Sequence, residues 1–153
     1  MYNPRILSNV NEFDTIKLTS HEIIAKNDFV TIVADGEVEC TDTGDPIFGI
    51  ALEAASAASV VITVARVTPG MKFLMDNDNN STTFASTHVG GRFDITGATG
   101  AMLVDTSTIA QVGGGAETGQ LFCTEYNPQV NGLGDDTSIG VFEVAEIQGL
   151  GAN

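Results

Sequence analysis

Between Phe29 and Asp76 turn residues cut the chain into segments too short for helices, and this punctuation limits the fold to strands. Phe29 to Ala34 is apolar and largely β-branched, and it stops at Asp35-Gly36. That pair tolerates the positive φ angles of a two-residue hairpin turn. Glu37 to Thr41 then alternates, with Val38 and Cys40 on one face and Glu37, Glu39 and Thr41 on the other. After the turn residues Asp42 to Pro46, Ile47 to Leu52 reads as the next strand. A small-residue stretch, Glu53 to Ala58, leads into Ser59 to Val67, where Val60, Ile62 and Val64 share the face predicted to point inward. Thr68-Pro69-Gly70 suits a type II turn, because proline fixes φ at the first corner and glycine accepts positive φ at the second. Met71 to Met75 follows. Nothing in this stretch has the form of a catalytic or cofactor-binding loop.

The rest of the chain extends the same pattern. Ile16 and Leu18 share a strand face with Lys17 opposite, and Lys26-Asn27-Asp28 turns the chain into Phe29. Thr82 to Ile95 reads as one or two strands interrupted at Gly90-Gly91, and Ala101 to Asp105 as a short one. The closing pair is Gly119 to Tyr126, where Leu121 and Cys123 alternate with Phe122 and Thr124, and Ser138 to Ile147. In the latter Ile139, Val141, Phe142 and Val144 are apolar on both faces, as in a strand covered on both sides. Gly113-Gly114-Gly115 and the loop from Asn127-Pro128 to Asp135-Asp136 read as surface connections. The tail from Gly149 has little to pack with.

At 153 residues the chain fits one domain, and a domain of this size buries roughly 68–70% of its unfolded surface without needing metal or disulfide staples. Many strands joined by glycine-bearing turns, with 17 glycines in all, predict an all-β, single-domain sandwich or barrel over residues 13–153. Residues 1–12 have no clear period, and Pro4 biases its neighbour toward an extended backbone, so they read as an extended N-terminal arm. Tyr2, Pro4, Ile6, Leu7 and Val10 are the candidate contact residues of that arm, toward a neighbouring subunit or a shell. On this reading, deleting residues 1–10 weakens that contact and leaves the melt nearly unchanged.

The net charge of −14 excludes some partners. Residues 1–92 hold all 6 basic residues against 12 acids, and residues 93–153 hold 8 acids and no lysine or arginine. Phosphate binding needs Lys and Arg, so nucleic acid is disfavoured, and an anionic membrane surface repels the chain. No apolar run reaches the roughly 18–20 residues of a membrane helix, and the N-terminus lacks the form of a signal peptide. Synthesis and folding in the cytoplasm follow as the expectation. Cys40 and Cys123 fall in phase with inward residues, so buried free thiols are predicted.

A search for chemistry finds little. The two histidines, His21 and His88, have no second ligand at metal spacing and stand in no nucleophile motif. Asp76, Asp78 and Asn80 have the alternate spacing of a calcium loop, but Ser81 stands where glycine is needed and Thr87 where a bidentate glutamate is needed. Gly97-Ala98-Thr99-Gly100 lacks the lysine of a phosphate loop. Tryptophan is absent, which argues against a stacking platform for sugars or bases. The expectation is a protein with no catalytic residues, metal or cofactor.

Three segments together resemble a known family. They are Asp14-Thr15-Ile16-Lys17-Leu18, the approach Ile24-Ala25-Lys26-Asn27-Asp28-Phe29-Val30, and Ile47 to Val64. In the last, the glycine-centred Ile47-Phe48-Gly49-Ile50-Ala51-Leu52 passes through Glu53-Ala54-Ala55-Ser56-Ala57-Ala58 into a Val/Ile/Thr strand. Phe13 to Met75, the stretch that holds these segments and makes up about 60 of the 153 residues, resembles the capsid decoration (cement) proteins of tailed bacteriophages, of the lambda-like head-decoration type. The resemblance implies a small β-tulip-like fold and a non-enzymatic homotrimer on the outer surface of an icosahedral head. There it would brace contacts between major capsid proteins, with no nucleic acid or membrane as partner. A second reading stays open: a β-sandwich module that recognises a glycan or host surface through the loops at Asp76–Asn80 and Gly113–Gly115.

Overall fold

The computed structural model describes residues 3–7, 14–78, 86–111, 118–127 and 139–149. These form a small all-β domain of two antiparallel sheets, and no α-helix occurs among the described residues. The strands are β1 (Arg5–Ile6), β2 (Thr15–Thr19), β3 (Phe29–Ile32), β4 (Val38–Cys40), β5 (Gly49–Ala51) and β6 (Val61–Arg66). They continue with β7 (Lys72–Asp76), β8 (Gly91–Thr96), β9 (Leu103–Gln111), β10 (Leu121–Asn127) and β11 (Ile139–Val144). One sheet has the order β2-β6-β5-β3-β4, the other β1-β7-β11-β10-β8-β9.

In the five-stranded sheet, β6 behaves as its alternation predicts. Ile62 and Val64 are buried and Val61 is exposed, while Val60, just before the strand, is half-buried. β3 and β5 are buried on both faces. Val30, paired with Gly49, lies on one face; Phe29, paired with Ile50, lies on the other, and all are inaccessible to solvent. The second face meets the other sheet, where the Phe29 and Phe73 rings pack edge to face with centroids 5.0 Å apart. Gly49 permits this density, since a Cβ there would strike the backbone carbonyl of Ala65.

The sheet curls until its ends meet. Ser20, the residue after β2, bridges Val38 of β4, and the His21 N–H donates to the Val38 carbonyl at 2.7 Å. The segment then pairs with the far side: Ile24 and Ala55 exchange both backbone hydrogen bonds, and Ser59 N–H donates to the Ser20 carbonyl. The buried Ser20 hydroxyl donates to the Ala57 carbonyl and accepts the Val60 N–H, so one polar side chain holds the seam. The six-stranded sheet curls too, and Asn77, beyond β7, bridges Val104 of β9. Its core face carries Phe73, Phe93, Leu121, Cys123 and Phe142, with Phe93 and Phe142 packed edge to face at 6.0 Å.

Several boundaries differ from the sequence reading. The Asp35-Gly36 hairpin joins β3 and β4 as expected, but its loop is longer than two residues. Val33 N–H donates to Glu37 O, and Gly36 N–H to Val33 O. Asp35 takes φ 72 and ψ 0, the values of the second corner of a type II turn. The turn at Thr68-Pro69-Gly70 forms as predicted, with Met71 N–H donating to Thr68 O and Gly70 at φ 86. β9 runs well past Asp105, because β8 offers it a longer partner than its own alternation reveals. Ser138 to Ile147 contains β11, but Gly140, Phe142 and Val144 are buried while Ile139, Val141 and Glu143 are only half-buried, so one face is covered. Of Thr82 to Ile95, only Gly91 onward is strand; Ser86–His88 is a 3-10 turn and residues 82–85 lie outside the described ones.

Candidate functional site

The candidate contact residues lie on the first edge of the six-stranded sheet. Arg5 and Ile6 pair with Leu74 and Phe73 of β7, and Leu7 N–H donates to the Lys72 carbonyl at 2.8 Å. Pro4 is buried, Ile6 is half-buried against the core, and Leu7 is 51% exposed. Tyr2 and Val10 lie outside the described residues. The segment is anchored by Asn3, which no sequence pattern singles out. Its amide nitrogen donates to Asp28 Oδ1 at 2.7 Å and to the Lys26 carbonyl at 3.2 Å, and its oxygen accepts the Met102 N–H at 2.8 Å.

Asp28 is the hub of that anchor and is fully buried. Besides Asn3 it accepts N–H bonds from Ala25 at 2.7 Å and Gly100 at 2.9 Å, and the Cys40 thiol lies 3.4 Å from Oδ2. A carboxylate so surrounded by N–H donors is satisfied without a cation. It joins three loops. In the sequence Asp28 reads as an ordinary turn residue; its partners are 25 and 72 positions away along the chain.

The residues with chemical potential do not converge. Cys40 and Cys123 are buried and free, as predicted, and burial pushes their thiols up to about 12 and about 11, so neither is a thiolate at neutral pH. His21 Nδ1 lies 2.9 Å from Glu37 Oε2; that bond, helped by the charges of Glu37, Glu39 and Glu22, raises the imidazole above its ordinary value. His88 packs edge-on to Phe93 at 5.8 Å, and burial lowers it. Asp76 is buried at the end of β7, while Asp78 Oδ1 accepts both the N–H and the hydroxyl of Thr106. Asn79, Asn80 and Ser81 lie outside the described residues, as do Gly113–Gly115, and Thr87 sits in the 3-10 turn. Among the described residues no group of three or more His, Cys, Asp or Glu side chains could hold a metal ion.

Four of the six cations are drawn into the protein's own contacts. Lys17 meets Glu53 at 3.3 Å and Lys72 meets Glu125 at 3.6 Å. Arg92, only 18% exposed at its side chain, donates to the Gly119 carbonyl and to Glu146, and Arg66 lies over the Phe48 ring at 5.6 Å. Among the described residues the exposed large apolar side chains are Leu7, Ile16, Ile23, Val61 and Val89. Among the described residues no helix is long and apolar enough to cross a membrane. No family model matches the chain, and no curated protein matches it.

Proposed function

We propose that this chain is a non-catalytic structural protein that decorates the outer surface of a phage icosahedral head. Its partner is the major capsid protein and its working unit a homotrimer. The resemblance of residues 13–75 to decoration proteins suggests the class, and the all-β body is compatible with it. The observation that carries the reading is the docked N-terminal segment: Asn3 and Pro4 are fixed to the domain, and Leu7 leaves the same edge 51% exposed. An apolar group held in place loses little conformational entropy when a shell covers it. The acidic surface suits a position outside the shell, away from the packaged nucleic acid.

A cement protein acts by mass action, since binding only the assembled lattice adds contact free energy against rupture. The test compares purified heads with and without the protein in a heat challenge, alongside Leu7→Asp. The reading expects bare heads to rupture at lower temperature and the variant to bind them more weakly while melting like the parent. Equal rupture temperatures would discard it. A specific hit on a glycan array would instead favour the surface-binding module.

A further inference from the structure

We infer that the free edge of β2 is a self-pairing surface, on which a second copy of this chain adds its own β2 in antiparallel register about Lys17. The edges of the two sheets differ in how they are finished. β4 is closed by His21 N–H on Val38 O and by Glu22 Oε1, which accepts the Cys40 N–H at 3.0 Å. The start of β9 is met by Asp78 N–H on Val104 O, and β1 is only two residues long. β2 is five residues long, none of them buried, and among the described residues it pairs with β6 alone.

The ladder fixes which groups are open. Arg66 N–H donates to Asp14 O and Ser20 N–H to Val60 O, so the alternate residues Ile16 and Leu18 turn their backbone groups toward β6. Thr15, Lys17 and Thr19 therefore turn theirs outward. These three are symmetric about Lys17. In a two-fold antiparallel pair Lys17 bonds its own counterpart, and each Thr15 bonds the Thr19 of the other copy. Every outward donor and acceptor then finds a partner, as strand addition requires. The same register sets Ile16 opposite Leu18 of the second copy, twice.

Ile16 and Leu18 share the face of their cross-strand neighbours Val64 and Ile62, yet Ile16 is 39% exposed where those two are buried. The new pair would extend the apolar face past the present edge and cover it. The evident objection is that two lysines meet across the axis, a device that keeps edges apart. Here each ammonium already has Glu53 Oε2 at 3.3 Å, so two cations and two carboxylates balance around the axis. The contact is isologous and closes as a pair. It does not rest on the capsid reading; on a shell it would join copies from neighbouring trimers.

The experiment is sedimentation equilibrium of the full chain over a wide concentration range, with Lys17→Pro and Lys17→Cys. Proline at 17 removes an outward N–H and leaves the β2–β6 bonds intact, as edge strands tolerate. The inference expects a concentration-dependent two-fold association in the parent that Lys17→Pro abolishes without changing its melt or circular dichroism. It also expects Lys17→Cys to form a disulfide-linked dimer on mild oxidation, since paired Cα atoms about 5.5 Å apart suit that bond. A parent that stays monomeric, association that survives Lys17→Pro, or no cross-link would each overturn it. If Lys17→Pro misfolds, the cross-link decides alone. A monomeric parent whose Lys17→Pro variant binds heads more weakly assigns the edge to a strand of the shell, which also overturns it.

Discussion

At the scale of single residues, three side chains set what solution measurements should read. Asp28 is buried with three N–H donors on it, so Asp28→Ala strands the Asn3, Ala25 and Gly100 groups together. Each buried donor left without an acceptor costs about 1–3 kcal/mol, and the expected loss in urea unfolding is on the order of 3 kcal/mol or more. His21 gives a pH dependence with a definite sign. Its folded pKa is raised, chiefly by the bond to Glu37, so its stabilising contribution is complete below the ordinary value of 6.5 and is lost as pH rises through the folded one. His88 is lowered by burial, so its effect runs the other way: stability is lost as pH falls from 6.5 through its folded value. His21→Gln should therefore lower the melting temperature below pH 6.5, match the parent above the folded value, and so flatten the decline between the two. An NMR titration resolving both imidazoles checks the two directions separately.

At the scale of elements, the polar side chains matter as much as the strands. Gln120, fully buried, accepts the Ile95 N–H and donates to the carbonyls of Asp42 and Asp45, tying β8 and β10 to the loop that leads into β5. Gln148 clamps Ile32 of β3 with an amide that bonds its N–H at 2.7 Å and its carbonyl at 2.8 Å. Beside it Ile47 N–H donates to Glu146 O and Gln148 N–H to Ile47 O, so the residues after β11 fill the gap where β5 leaves β3. Gln148→Ala removes the clamp and should cost about 1–2 kcal/mol in unfolding, with faster amide exchange at Ile32 as its local signature. None of this was legible beforehand. The strands β4, β6 and β7 and the turn at Gly70 were, because alternation and turn chemistry act between near neighbours. Ser138 to Ile147 differs from its reading, because an apolar residue on a half-buried face looks the same in sequence as one on a covered face.

At the scale of the whole molecule, the N-terminal segment changes standing. The sequence reading expects its deletion to leave the melt unchanged, but the structure gives residues 3–7 a place in the six-stranded sheet and in the Asp28 anchor. Removing residues 1–7 takes away the β1–β7 pairing and Asn3's bonds and exposes part of Phe73's surroundings. We expect a loss of about 1–3 kcal/mol, and in a domain near this size each kcal/mol lowers the melting temperature by about 2–4 °C. A melt equal to the parent's would show that the edge contributes nothing. Leu7→Asp, which leaves the ladder in place, separates docking from stability. The sequence by itself determined the class of fold, the short strands, the inward faces of β4 and β6, and a net charge of −14. These depend on period, turn residues and charge, all of which act locally or sum over the chain. Only the tertiary structure decided that Ser20 closes the curled sheet, that Asp28 gathers three loops, and that β2 pairs, among the described residues, with β6 alone. Each joins segments distant along the chain, and such meetings follow from how the two sheets curl and pack, which no local pattern encodes.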